Sequence, residues 1–86
     1  MPRVSEFFGV VIAMYFSDHN PPHFHAEYAG DEAEFSINTL EILVGQLPCR
    51  ARALVLEWAS LHRRELQANW ERARQQVPLE AIEPLE

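Results

Sequence analysis

From Gly9 to Phe16 the chain is almost wholly apolar, with Val10, Val11, Ile12, Met14, Tyr15 and Phe16. A run this short, rich in β-branched and aromatic residues, predicts a strand over about 8–16 covered on both faces. Ser17–Pro22 breaks the run, and strict alternation follows. Phe24, Ala26 and Tyr28 fall on one face, and His23, His25 and Glu27 on the other. Gly30-Asp31 is a hairpin-turn dipeptide, which predicts strands over about 23–29 and 32–38. A two-residue turn at that dipeptide pairs Tyr28 with Ala33, Ala26 with Phe35, and Phe24 with Ile37 on the apolar face. The opposite face then pairs Glu27 with Glu34, His25 with Ser36, and His23 with Asn38. A slip by one residue would mix the two faces, so the facing of each side chain is well specified. Asn38-Thr39 marks another turn, and Leu40, Ile42 and Val44 share one side of a strand over about 40–45.

The period then changes. Pro48 suits a first helical position, where its missing N–H does no harm. No Gly or Pro follows until beyond Gln76. Leu54, Trp58 and Leu61 form a stripe, with Val55, His62, Leu66, Trp70 and Ala73 lying progressively round from it. A straight helix over 48–76 would be about 43 Å long, more than a small domain spans. A bend near Leu61–Glu65, or a projecting end, is therefore expected. Trp58 reads as core, and Trp70 as core or an interface anchor. The tail 77–86 sets Leu79, Ile82 and Leu85 among acids and prolines, and is expected to pack back as an extended segment. Strand patterns followed by helical ones predict an α+β fold. Its architecture is an antiparallel meander of three to four strands packed against a long or bent C-terminal helix, in one domain over 1–86.

Composition narrows the class. Eighty-six residues bury only a modest core. The single cysteine, Cys49, cannot form an internal disulfide, which fits a reducing compartment and a cytoplasmic location. The apolar stretch near the start is too short for a membrane span and lacks a signal-peptide cleavage pattern. Net charge is −6, unevenly spread. Residues 1–47 carry −6, residues 48–76 carry +3, and residues 77–86 carry −3. This polarity suits a charged protein partner or self-association. The arginines could touch phosphate, but the acidic total disfavours general nucleic-acid binding.

The candidate chemistry sits in Asp18-His19-Asn20-Pro21-Pro22-His23-Phe24-His25, which holds three of the four histidines. Histidine is the commonest metal ligand and the usual acid–base group near neutral pH. His23 and His25 lie about 6.6 Å apart along one strand face, a spacing that suits two imidazoles on one ion. Asp18 or Glu27 could add an oxygen ligand, and two His with one carboxylate suit Zn or Fe(II). Glu27 would lie about 13 Å from His23 on a regular strand, too far to share an ion easily. His19 joins only if the Pro21-Pro22 segment turns back.

Two other readings of the run stand beside the metal. The histidines could simply satisfy polar neighbours: His23 with Asn38, and His25 with Ser36 or the opposed Glu27 and Glu34. Alternatively His19, His23 and His25 could act as general acid–base groups with an arginine phosphate clamp, as in a phosphodiesterase. In every reading the cluster is expected near the loop between the first two strands, off the core face and open to solvent on one side.

Several stretches together resemble one bacterial family. They are Pro2-Arg3-Val4-Ser5-Glu6-Phe7-Phe8-Gly9, Met14 to His25, and Gly45-Gln46-Leu47-Pro48 with Trp58, Leu61–Leu66 and Trp70. The family is the domain-of-unknown-function family forty-one-sixty. The resemblance implies a small protein in a toxin–antitoxin-like context, acting beside a small protein partner. On this basis the sequence supports a protein-binding or regulatory module, with a small metal-dependent or His/Arg enzyme as the alternative.

Overall fold

The computed structural model describes residues 3–16 and 19–86. Five strands, β1 (Arg3–Phe7), β2 (Val10–Ala13), β3 (His23–Tyr28), β4 (Asp31–Ser36) and β5 (Ile42–Gly45), precede two helices, α1 (Cys49–Leu61) and α2 (Arg63–Arg74). The strands form one antiparallel meander in the order β1-β2-β3-β4-β5. The α+β class and the meander agree with the sequence pattern. The strand β1 adds to it.

Both tight hairpins use the same turn chemistry. Phe8 (φ 49°) and Gly9 (φ 83°) join β1 to β2, while Ala29 (φ 50°) and Gly30 (φ 90°) join β3 to β4. Two successive left-handed residues make the type I′ turn that suits the twist of a hairpin. In each, glycine takes the second position, where φ is steeper. The turn is therefore Ala29-Gly30 rather than Gly30-Asp31. The register moves by two residues: Phe24 pairs with Phe35, His25 with Glu34, His23 with Ser36, and Glu27 with Glu32. An even shift leaves every side chain on its expected face and changes only its partner. The run expected as one strand over 8–16 is likewise a turn followed by the shorter β2.

One buried cluster joins sheet and helices. Phe24 stacks on Phe35, with centroids 5.4 Å apart, and meets Trp58 edge-on at 6.0 Å. Phe7 approaches Trp58 to 5.3 Å. The buried stripe of α1 is Ala51, Val55, Trp58 and Ala59. Leu54 is only half-buried and Leu61 is 67% exposed, so the expected Leu54–Trp58–Leu61 stripe is rotated from the real one. Pro48 caps α1 rather than opening it: its carbonyl accepts the amide of Arg52 at 2.9 Å.

The expected bend falls at His62, whose φ of −123° interrupts the helix between α1 and α2. The imidazole Nδ1 of His62 lies 2.6 Å from Glu65 Oε1, and its ring packs 5.5 Å from that of Trp58. Trp70, left open in the sequence, is core, being 2% exposed. The tail after α2 packs back on the helices and on β1. Asn69 donates to the Glu80 carbonyl at 2.8 Å and accepts from the Glu80 amide at 2.9 Å. Ile82 donates to the Val4 carbonyl, and the indole N–H of Trp58 to the Glu83 carbonyl. Among the described residues no helix is long and apolar enough to cross a membrane.

Candidate metal centre

The first residue of β3 is His23, which the pleat places on the sheet face away from Phe24. That face is not open at this point. The ring of His23 is 2% exposed and packs 5.3 Å from Trp70. The expectation of a solvent-open face therefore fails for His23, because the second helix brings Trp70 against it. Nor does His23 bond Asn38, whose side chain instead accepts from Gln67 at 2.7 Å. Its Nδ1 lies 2.7 Å from the Pro21 carbonyl. A carbonyl only accepts, so Nδ1 carries a proton, and in the neutral imidazole the lone pair is then on Nε2. Histidines that bind metals are commonly oriented in this way, by a backbone carbonyl on the ring nitrogen remote from the ion.

Nε2 of His23 lies 3.6 Å from Glu34 Oε1. Glu34 reaches it because the register sets Glu34 opposite His25, one diagonal step from His23. The rings of His23 and His25 are 5.2 Å apart. One ligand atom from each of His23, His25 and Glu34 can be chosen so that all lie within 4.8 Å of one another. Two ligands on one tetrahedral zinc sit about 3.4 Å apart, given bond lengths near 2.0–2.1 Å. The His23–Glu34 separation is thus already close to that of two ligands on a shared ion, and the His25 ligand atom lies within 4.8 Å of both.

Around this trio lie aromatic rings and one further carboxylate, that of Glu32. Tyr15 meets the edge of His25, with centroids 4.5 Å apart. Nδ1 of His25 is 3.6 Å from Glu32 Oε2. His19 does fold back across the prolines, and its exposed ring lies 5.8 Å from that of His23. The buried indole N–H of Trp70 has no hydrogen-bond partner among the described residues. The structure therefore brings His19, His23 and His25 together. Asp18 lies outside the described residues. Glu27 stands opposite Glu32 and outside the trio. The carboxylate grouped with His23 and His25 is that of Glu34. The register expected from a Gly30-Asp31 turn, one residue late, sets it against Glu27, whereas the observed register sets it opposite His25.

The carboxylates also bear on the phosphodiesterase reading. Among the described residues no arginine forms an ion pair with Glu27, Glu32 or Glu34. Carboxylates close to the imidazoles attract a cation and repel a phosphodiester that arrives without one.

The fold and cluster define a small α+β protein with a histidine–carboxylate cluster at the start of β3. Residues 9–71 match the profile of a domain of unknown function, DUF4160, and the chain belongs to that family. No curated protein and no solved structure was found to match it.

Proposed function

We propose that this chain is a metal-binding protein whose divalent ion is held by His23, His25 and Glu34. The observation that carries the reading is the close set of three ligand atoms, with His23 oriented by the Pro21 carbonyl. Two imidazoles and a carboxylate favour Zn or Fe(II) over Ca or Mg, which prefer all-oxygen shells. Three protein ligands leave positions for water or substrate, as in catalytic rather than closed structural sites. When bound, such an ion polarises a carbonyl or lowers the pKa of its water. His23 and His25 would hold the ion, Glu34 would offset its charge, and His19 is the group nearest the loop that could move a proton or add a ligand. A small metal-dependent enzyme of the bacterial cytoplasm fits these roles.

The test is metal analysis of protein purified without a histidine tag. One equivalent of Zn, Fe, Co, Ni or Mn per chain is expected, falling sharply in His25→Gln and Glu34→Gln variants that remain folded. Protein that carries no metal and takes up neither Zn nor Co on titration would overturn the reading.

A second reading, a regulatory module of a toxin–antitoxin-like pair, is favoured by a separate observation. Arg50, Arg63 and Arg64, which make no ion pair among the described residues, and the exposed Leu61 lie outside the set of residues that forms the histidine cluster.

A further inference from the structure

Along α1, Arg50, Leu54, Glu57 and Leu61 recur at positions i, i+4, i+7 and i+11, which places them on one flank of the helix. This flank lies well round from the buried Ala51–Val55–Trp58 stripe. From Arg50 to Leu61 it runs about 16 Å. A depression stands at each end. The first, of about 360 Å³, is lined by Phe8, Tyr28, Arg50, Ala51 and Leu54. The second, of about 740 Å³, is lined by Ser60, Leu61, Arg63, Arg64, Glu65 and Gln67. Apolar side chains are exposed at both ends: Phe8 is 61% exposed and Leu61 67%.

The charge on this flank is mainly cationic. Among the described residues Arg50, Arg52, Arg63 and Arg64 make no ion pair, and three of them, Arg50, Arg63 and Arg64, line the two depressions. Solvated arginines are common, but here they flank exposed leucine and phenylalanine in a chain of net charge −6. Glu57 is the only acid on the stripe itself, and Glu65 is engaged by His62. A second copy placed by two-fold symmetry would set the arginine-bearing ends against one another and Glu57 against Glu57. Like charges so opposed are unfavourable, which argues against an isologous dimer on this face. A bare phosphate backbone would satisfy the arginines but would gain nothing from Phe8, Leu54 and Leu61.

We propose that the α1 flank, from Phe8 and Arg50 to Leu61 and Arg64, docks an acidic segment of a partner protein that carries apolar side chains. Its carboxylates meet Arg50, Arg63 and Arg64, and its apolar residues enter the two depressions.

The test uses the whole protein and two short fluorescein-labelled helical peptides. One has leucines at alternating three- and four-residue spacing with glutamate at the other positions, and its twin has lysine in place of glutamate. Fluorescence anisotropy should show binding of the glutamate peptide that weakens with added salt, and no comparable binding of the lysine twin. Arg63→Glu/Arg64→Glu and Leu61→Asp should each weaken binding by about tenfold or more. All the replaced residues are exposed, so circular dichroism should be unchanged. Equal binding of the two peptides, or binding indifferent to these substitutions, would overturn the proposal. So would a single-stranded oligonucleotide that displaces the glutamate peptide, which would make the flank a phosphate surface. Concentration-dependent dimerisation abolished by Leu61→Asp would overturn it in favour of self-association.

Discussion

Zinc added to the purified protein should raise its unfolding temperature, and the rise should vanish in the His25→Gln variant. A ligand that binds only the folded state stabilises it by about 2.7 kcal/mol at a hundredfold excess over its dissociation constant. In a domain of this size each kcal/mol is worth about 4–8 °C, so the expected shift is roughly 10–20 °C. The choice of His25 follows from its surroundings. Its side chain is 12% exposed and touches Tyr15 at the ring edge, so glutamine can take its place with little loss of core. His23 would be a poorer probe. Replacing it removes the Nδ1 bond to the Pro21 carbonyl and the packing against Trp70, at a cost of about 1–3 kcal/mol even without metal. Differential scanning fluorimetry with a zinc titration, a calcium control and a chelator reversal reads the shift directly. Glu34→Gln should reduce it in parallel, since it leaves shape intact and removes the anionic ligand. If zinc moves parent and His25→Gln by the same amount, the ion sits elsewhere and the His23–His25–Glu34 reasoning is wrong.

Other substitutions test the scaffold. Trp58→Ala should cost about 3–5 kcal/mol, because Trp58 is fully buried against Phe7 and Phe24 and bonds the Glu83 carbonyl. A denaturant midpoint near the parental one would show that Trp58 is not core. Gly45→Ala should destabilise by about 2 kcal/mol or more, since φ is +77° and a Cβ would fall 2.2 Å from the Glu32 carbonyl oxygen. Gly30→Ala, at φ +90° with nothing within 4 Å, should cost only about 1 kcal/mol; equal losses at the two glycines would refute the close approach at Gly45. Asn69→Ala should cost about 2–3 kcal/mol and loosen the tail, which amide exchange at Glu80 and Ile82 would report.

The facing of the strands was legible because period-two alternation survives any even shift of register. Phe24, Ala26, Phe35 and Ile37 are buried whichever neighbours they pair with. Partnership is more fragile, since it depends on which residue of a turn carries the steeper positive φ. Gly30 in second place sets Glu34 beside His25 and His23, whereas Gly30 in first place sets Glu34 against Glu27. One turn position thus decides which glutamate opposes Glu27 and which one joins the histidines: Glu32 opposes it here, and Glu34 is left beside His23 and His25. The signal was present in Ala29-Gly30, and again in Phe8-Gly9, whose turn creates β1 from residues that carry only weak alternation of their own. Helical facing was less legible than strand facing, because the break at His62 makes α1 and α2 separate helices. Leu61 is then released from the core side, and Trp70 closes over His23. The bend has one consequence at the cluster and another at the surface. It roofs the buried imidazole with an indole, and it exposes Leu61 beside Arg63 and Arg64. A chain that kept α1 and α2 continuous could not place Trp70 on His23 while holding Trp58 against Phe24.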